Sequence, residues 1–233
     1  MTDPAVVTAL ALVTAHLLAD FPLQTDWMVA NKHRPAVLAL HGAIVFAVTL
    51  AMLGGAVALA AAVAGAHIVI DAVKVHALPQ ALWSFLADQA AHLLTLALAV
   101  LVMPDAVATG LWADLPPAAL HGAVFLSGLI AATLAGGPAV GLLMTRFKAE
   151  AQPQGLENAG RIIGLLERAL IFLMVMIDEP AAIGFLIAAK SILRFDTVKQ
   201  SQEVSEYVII GTLASFGWAL VMAFCTRAVL ALP

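Results

Sequence analysis

The fold is decided by residues 36–75, which read AVLALHGAIVFAVTLAMLGGAVALAAAVAGAHIVIDAVKV. Two apolar runs, 36–54 and 56–75, meet at the Gly54-Gly55 pair. Each run is long enough for a membrane-spanning helix, which takes roughly 17 to 25 residues. Because adjacent glycines commonly interrupt a helix, the stretch predicts two membrane helices joined by a tight turn. Its ionisable side chains are His41, His67, Asp71 and Lys74.

The whole chain shares this apolar composition. Of its 233 residues 63% are hydrophobic and 11% are charged, and the mean hydropathy is +1.01. A soluble domain with a solvated surface carries more charge, so the composition predicts an all-α polytopic membrane protein. The net charge of -4 is scattered along the chain, which argues against nucleic acid as a partner. The single cysteine, Cys225, excludes an internal disulfide and a thiolate metal cage.

The length criterion predicts a transmembrane helical bundle of about eight helices. Seven helices is the alternative, because the seventh segment is short enough to be re-entrant. The expected domains are 1–104, with four helices, and 105–233, with the other four. The predicted segments are 4–21, 36–54, 56–75, 80–103, 117–145, 160–177, 180–194 and 206–231.

Proline and glycine predict two details of these segments. Helix one is expected to stop at Phe21, because Pro22 disfavours helical geometry in the residue before it. The run 136–138, Gly-Gly-Pro, predicts a kink in the long fifth segment.

Loop charges predict the orientation of the bundle. Lysine and arginine occur in the loops after helices one, five and seven and at the end of helix three, whereas the loops after helices four and six carry only acidic charges. The positive-inside rule therefore predicts that the odd loops are cytoplasmic and that both termini lie outside. Arg227, near the carboxyl end, disagrees with this assignment. The predicted location is the cytoplasmic (inner) membrane of a bacterium, with multiple passes.

Seven residues of only two ionisable types occur in or at the ends of the first four helices. In the predicted orientation all of them lie toward the cytoplasmic leaflet. Three i,i+4 pairs each place one imidazole and one carboxylate on the same helix face, one turn apart. The predicted metal ligands are His16, Asp20, His41, His67, Asp71, Asp88 and His92.

The nitrogen and oxygen atoms of this set suit one or two divalent ions, with zinc expected first and iron or manganese as alternatives. Charged groups inside a bilayer are costly and usually mark a functional site. Other interpretations stay open: a proton or ion relay, or structural polar contacts between helices. Bis-histidine haem is a further alternative, although it leaves the three aspartates without a role.

Two residues beside this set are candidate catalytic residues. Lys74 continues the stripe of His67 and Asp71 at i+3, and Gln24 follows the end of helix one. Lys74 would neutralise a phosphate or a developing oxyanion, and Gln24 would orient a substrate oxygen or a ligand. The alternative for Lys74 is an ion pair with Asp71 and a side chain that reaches to the lipid headgroups.

The carboxyl-terminal half contains a separate group of cationic residues. We expect them to line a recess for an anionic lipid headgroup, and the alternative is membrane anchoring with Arg-Glu pairing between helices. Arg168 lies about 10 Å along its helix from Arg161, and a buried arginine needs a carboxylate or an anionic ligand. The predicted substrate-binding residues are Arg161, Arg168, Lys190 and Arg194.

The ordered motifs of the amino-terminal half resemble a bacterial integral-membrane family. They are HLLADFPLQTDWM at 16–28, HIVIDAVK at 67–74 and DQAAH at 88–92, with Lys32 and His41 between the first two. The family is known as domain of unknown function 3307, and its name implies no reaction. The resemblance extends over about residues 5–103.

The carboxyl-terminal half resembles the extension that many members of this family carry. The resemblance lies in GRIIG at 160–164 and IGFLIAAKSILRF at 183–195. Histidine and aspartate on short membrane helices also resemble the layout of membrane-bound metal-dependent hydrolases, which is an analogy of architecture alone.

These observations predict a metal-dependent hydrolase of a membrane-soluble or amphiphilic substrate, with membrane lipids as partners. A metal- or proton-coupled transporter and a non-catalytic partner subunit are the alternatives. A hydrolase needs an opening on the cytoplasmic side only, whereas a transporter needs a polar route to the other face. The outer halves of helices one to four contain almost nothing polar, which favours a site open on one side. The exceptions are Thr8, Thr14, Thr49 and Thr95.

Overall fold

A computed structural model describes residues 3–147, 158–193 and 202–232. Over these residues the chain is all-α, as predicted. The helices are α1 (Pro4–Asp20), α2 (Asp26–Asn31), α3 (Pro35–Met52), α4 (Val57–Ala77), α5 (Leu82–Val102), α6 (Pro117–Phe147), α7 (Ala159–Met176), α8 (Ala182–Leu193) and α9 (Gln202–Leu230). Five of them, α3, α4, α5, α6 and α9, are long and apolar enough to cross a membrane. The chain is a polytopic membrane protein.

Each of the eight predicted segments corresponds to one of these helices. Helix α1 ends at Asp20, and the N–H of Phe21 donates to the carbonyl of Leu17, so the predicted stop before Pro22 is confirmed. The six-residue helix α2 was not predicted, because so short an element has no apolar run that marks it.

Side-chain capping explains where the first two helices begin. The Asp3 carboxylate accepts a hydrogen bond from the N–H of Ala5 at 2.8 Å, with Pro4 at the first helical position. The Thr25 hydroxyl accepts one from the N–H of Met28 at 3.3 Å and begins α2. Helix α2 therefore forms directly after α1 and leads the chain back toward α3.

The predicted turn between α3 and α4 is formed by the glycine pair. Gly54 and Gly55 have φ angles of 69° and 107°, which side chains with a Cβ rarely adopt. The carbonyl of Gly54 accepts a hydrogen bond from the N–H of Leu111 at 2.9 Å, and a Cβ on Gly54 would lie 2.8 Å from that nitrogen. Glycine thus provides both the conformation and the close approach of the loop after α5.

The amino-terminal helices form a closed bundle. Helix α1 packs against α3 and α5, and α4 packs against the same two helices. A buried apolar cluster fills the bundle at the end where α4 begins and α5 ends. Its members are Leu12, Leu53, Leu59, Val63, Leu96, Ala99, Ala106 and Val107.

Two compact units divide the chain within α6. The first unit comprises Met1–Ile130 with Leu232–Pro233, and the second comprises Ala131–Ala231. The four helices expected in an amino-terminal domain lie together in the first unit. The boundary after residue 104 stays a prediction, since compactness alone does not show independent folding.

In the second unit, α6 contains a π-helical segment, Ala131–Ala135, directly before the Gly-Gly-Pro run at 136–138. In a π-turn the carbonyl of one residue accepts from the N–H five residues later, so the Thr133 carbonyl would pair with residue 138. Residue 138 is a proline, which has no N–H to donate. That carbonyl accepts hydrogen bonds from Nε and Nη2 of Arg168 at 3.0 and 2.9 Å. The Ala131 carbonyl accepts one from the Trp218 indole at 2.9 Å. Side chains of α7 and α9 therefore satisfy the backbone of this π-helical segment, whereas the kink expected at 136–138 stays a prediction.

Candidate metal centre

The seven predicted ligands converge at one end of the first unit. His16 and Asp20 lie at the end of α1, and His41 lies six residues after α3 begins. The other two helices contribute His67 and Asp71 near the end of α4 and Asp88 and His92 near the start of α5. At 1.5 Å per residue these positions lie within about 15 Å of the helix ends. All seven side chains are at most 7% exposed.

The centre of the cluster is formed by two imidazoles and two carboxylates. Nε2 of His41 lies 3.1 Å from Nε2 of His67. The two nitrogens lie 3.2 and 3.1 Å from Oδ1 of Asp20, and 3.5 and 3.3 Å from Oδ2 of Asp71. Zinc bonds of 2.0 to 2.2 Å at tetrahedral angles separate neighbouring ligand atoms by about 3.3 to 3.6 Å. Each carboxylate therefore completes, with the two imidazoles, a set of three atoms at the spacing for one ion.

Several buried polar atoms of the cluster lie close to one another without forming well-aligned hydrogen bonds. Oδ1 of Asp20 and both oxygens of Asp71 are buried and have no aligned hydrogen bond among the described residues, although nitrogens lie within 3.5 Å. Two contacts are exceptions: Nε2 of His41 and Nε2 of His67 are within hydrogen-bond distance of each other, and Oδ2 of Asp71 lies 2.7 Å from Nζ of Lys32. Buried oxygens left in this way are costly unless something else satisfies them.

His16 is oriented by a residue outside the predicted set. Its Nε2 lies 3.3 Å from Oε1 of Gln89, which can only accept a hydrogen bond, so Nε2 carries the proton. Nδ1 of His16 then has a free lone pair, is buried without a hydrogen-bond partner in the described chain, and lies 3.8 Å from Oδ2 of Asp20. A second residue that fixes the tautomer is typical of metal-binding histidines.

In His92, as in His16, one ring nitrogen is hydrogen-bonded and the other is free, but here Nδ1 is the bonded nitrogen. Its Nδ1 lies 2.9 Å from the carbonyl oxygen of Asp88, which assigns the proton to Nδ1. Nε2 is buried and has no hydrogen-bond partner within the described ranges. The ring centroids of His92 and His67 are 4.0 Å apart, so the free nitrogen belongs to the same cluster.

Three groups in the described chain have ligand atoms within 4.8 Å of one another. They are His16, Asp20 and His67; His41, His67 and Asp71; and Asp71, Asp88 and His92. His67 and Asp71 each occur in two groups, so the three are contiguous. A carboxylate has two oxygens and can bridge two ions, which makes Asp71 the residue that two ions would share. The buried His/Asp cluster has enough ligands of the right kind for one or two metal ions.

Two lysines lie against the carboxylates of the cluster. Nζ of Lys32 is 2.7 Å from Oδ2 of Asp71, and both side chains are buried. Nζ of Lys74 is 2.6 Å from Oδ2 of Asp88, so Lys74 pairs with Asp88 and not with Asp71. Two of the three aspartates are therefore compensated by protein cations, and the ion pair suggested for Lys74 forms with Asp88 in place of Asp71. The sequence indicated Lys32 only as one residue of the family motifs, because nothing local predicts that a lysine after the short helix α2 is buried.

Of the two candidate catalytic residues, Lys74 contacts the cluster through Asp88, and Gln24 lies in the loop between α1 and α2. The Lys74 side chain is 30% exposed and its Nζ lies 5.4 Å from the centre of the Phe85 ring. Nε2 of Gln24 is buried and has no hydrogen-bond partner in the described chain. Lys74 thus links the buried carboxylates to the surface, and Gln24 is a donor that a ligand oxygen could satisfy. Their catalytic roles stay predictions.

The opposite end of the bundle is closed. The apolar cluster of the first unit occupies the interior between α1, α4 and α5. The Thr14 hydroxyl donates to the Leu10 carbonyl and contacts Ser127 Oγ at 2.9 Å, and the Thr8 hydroxyl accepts from the N–H of Val107. These polar groups therefore satisfy one another and do not form a path through the unit.

The predicted substrate-binding residues lie in the second unit, apart from Arg194, which is outside the described residues. Arg161 is exposed on the first turn of α7. Nζ of Lys190 lies 2.6 Å from Oε2 of Glu167. Arg168 is buried and donates to the Thr133 carbonyl and the Ser215 hydroxyl, which are neutral acceptors. Neutral acceptors therefore satisfy the buried Arg168, and its contacts do not call for the carboxylate or anion that we expected. The lipid-headgroup recess stays a prediction.

The fold and the cluster together define a polytopic membrane protein with a candidate His/Asp metal centre. Residues 8–113 match the model of a family described as "Protein of unknown function (DUF3307)". This match confirms the resemblance inferred from the motifs of the amino-terminal half. It spans all seven candidate ligands, both lysines and Gln89. No curated protein and no solved structure matches the chain.

Proposed function

We propose that the amino-terminal unit is a metal-dependent hydrolase that acts on a membrane-soluble or amphiphilic substrate from the cytoplasmic side of the inner membrane. The observation that carries the proposal is the short spacing of Asp20, His41, His67 and Asp71 ligand atoms in a buried site, at 3.1 to 3.5 Å. Zinc is the expected ion, and iron or manganese would suit the same ligands.

The metal ion and the residues around it would have separate roles in hydrolysis. A bound divalent ion supplies Lewis acidity and lowers the pKa of a water molecule toward neutrality. Gln89 holds His16 in one tautomer, and the Asp88 carbonyl does the same for His92. Lys74, on the exposed side, would stabilise negative charge that develops on the substrate. Gln24 would orient a substrate oxygen through its buried amide donor.

A hydrolase is favoured over a transporter by the apolar closure of the bundle. Transport requires that the ligand leave through the opposite end, where Leu12, Leu59 and Val63 are at most 5% exposed and pack together. The alternative, a proton-coupled transporter, is supported by the 3.1 Å contact between the His41 and His67 imidazoles, which could share a proton. Reconstitution in vesicles distinguishes the two, since only a transporter moves protons or metal across the bilayer.

Elemental analysis of the full chain, purified in maltoside without chelators, tests the proposal. We expect one to two zinc equivalents in the wild type and a loss of at least half in His67→Ala, because His67 belongs to two of the three ligand groups. The matched control is His121→Ala, since His121 is exposed and its Nδ1 contacts only the Pro117 carbonyl of its own helix. Folded wild-type protein without stoichiometric metal would overturn the proposal.

A second arm tests catalysis. The metal-loaded protein is incubated with chromogenic long-chain carboxylic and phosphoric esters in mixed micelles. Metal-dependent hydrolysis that is lost in Asp20→Asn and kept in His121→Ala supports the enzyme. Stoichiometric metal with neither hydrolysis nor transport indicates a non-catalytic partner subunit.

A further inference from the structure

Two ammonium groups flank one pair of carboxylates in the amino-terminal unit. Asp71 and Asp88 each offer a ligand atom within 4.8 Å of the other. Lys32 Nζ lies 2.7 Å from Asp71, and Lys74 Nζ lies 2.6 Å from Asp88. The two lysines come from different elements, the end of α2 and the end of α4, and each contacts one carboxylate of the pair.

The formal charge of the cluster depends on whether metal is bound. Three aspartates and two lysines give a charge of minus one when the imidazoles are neutral, as metal ligands must be. One divalent ion reverses this charge to plus one, and two ions raise it to plus three. Asp71 and Asp88 would then interact with both a lysine and a metal ion, so their negative charge would neutralise each ammonium group less completely.

A buried positive charge next to a bilayer is costly unless an anion compensates it. The described part of the first unit places no further carboxylate in contact with Lys32 or Lys74 beyond Asp71 and Asp88. Gln24, in the loop between α1 and α2, offers a buried amide donor that has no hydrogen-bond partner in the described chain. A metal-loaded centre flanked by two ammonium groups is suited to an oxyanion.

We propose that the substrate of this site is an amphiphile with an anionic, phosphate-type headgroup, bound between the metal centre and the ammonium groups of Lys32 and Lys74. The inference rests on the proposed metal centre and names its substrate class. Lys74 is the partly exposed member and receives the headgroup at the surface, whereas Lys32 is buried and binds it deeper. A lysine ammonium binds phosphate as a point charge, so each lysine contributes independently.

Calorimetric titration of inorganic phosphate into zinc-loaded protein tests this assignment. We expect binding to the zinc-loaded form that weakens at least tenfold after chelation, and at least tenfold in Lys32→Met and Lys74→Met. Lys32→Arg should retain binding, which separates loss of charge from misfolding. The matched control is Arg34→Gln, which removes an exposed cation two residues from Lys32 and should bind phosphate like the wild type.

A lipid arm identifies the source of the phosphate group. Short-chain phosphatidic acid and the diacylglycerol of the same chains are titrated in maltoside micelles. Tighter binding of phosphatidic acid than of inorganic phosphate assigns the site to a lipid headgroup, and the reverse order assigns it to free phosphate. Two results would overturn this inference but not the proposed function. The first is zinc at full stoichiometry without binding of either probe, and the second is full zinc with binding unchanged in both methionine variants. Absence of any stoichiometric metal from folded protein would overturn the proposed function as well.

Discussion

The side-chain oxygen of Gln89 lies 3.3 Å from Nε2 of His16, so a residue of α5 fixes the tautomer of a candidate ligand on α1. The amide nitrogen of Gln89 donates to Oδ2 of Asp88 at 3.2 Å. One amide therefore orients a nitrogen ligand and an oxygen ligand at the same time. Such indirect contacts explain why a metal site depends on residues that do not touch the ion.

Gln89→Leu should weaken metal binding about 10- to 100-fold, the usual cost of losing a residue that orients a ligand. The leucine keeps the approximate volume but removes both hydrogen bonds, so His16 is free to change tautomer. Competition with a chromogenic chelator measures the affinity. Gln80→Leu is the control, because Gln80 is exposed in the loop before α5. Equal affinities for the two variants would contradict the orienting role.

Asp71→Asn should destabilise the metal-free protein by about 3 to 5 kcal/mol, because it leaves buried Lys32 without its carboxylate. The double variant Lys32→Met with Asp71→Asn should lose less stability than the sum of the losses in the two single variants, since neither partner is then left as an unpaired charge. Thermal unfolding in detergent with chelator measures all four proteins. Additive losses in the double variant would show that the two side chains do not interact.

The spans and the convergence of the candidate ligands could be predicted because they depend on local patterns, whereas the ligands' role in metal binding stays a prediction. Apolar length fixed the helices, and the i,i+4 spacing of His67 and Asp71 placed both on one face. The burial of Lys32 and its ion pair with Asp71 could not be predicted, since both depend on where the six-residue helix α2 places Lys32 relative to α4. Gln89 could be named as a neighbour of Asp88, but its contact with His16 joins residues 73 positions apart.

The second unit shows the same distinction. The Gly-Gly-Pro run at 136–138 predicted an irregular helix, because proline lacks an N–H. The partner that satisfies the freed Thr133 carbonyl, Arg168, comes from another helix and donates two hydrogen bonds to it. The sequence predicted that Arg168 binds an anion. The hydrogen-bond acceptors of a charged residue in an apolar segment cannot be identified from the sequence.

Arg168→Gln should destabilise the protein by about 1 to 3 kcal/mol, because the Thr133 carbonyl loses both donors in a buried position. Thermal unfolding measures this effect, and metal content should stay at the wild-type level. The control is Arg146→Gln, which removes an exposed cation at the end of α6. If Arg168→Gln unfolds normally but loses co-purified anionic lipid, the headgroup recess predicted from the sequence would be supported instead.

Gly136→Ala should destabilise the protein by about 1 to 3 kcal/mol, the typical cost of overpacking a filled core. A Cβ at this position would lie 2.9 Å from Cδ and Nε of Arg168 and 2.8 Å from Cδ1 of Trp218. Both side chains are held by hydrogen bonds to the π-helical segment and cannot move without breaking them. Gly141→Ala, five residues further along α6, is the control, because its Cβ would meet nothing within 4 Å. Thermal unfolding should show a loss for Gly136→Ala and none for Gly141→Ala, and equal midpoints would mean that Arg168 can shift without cost.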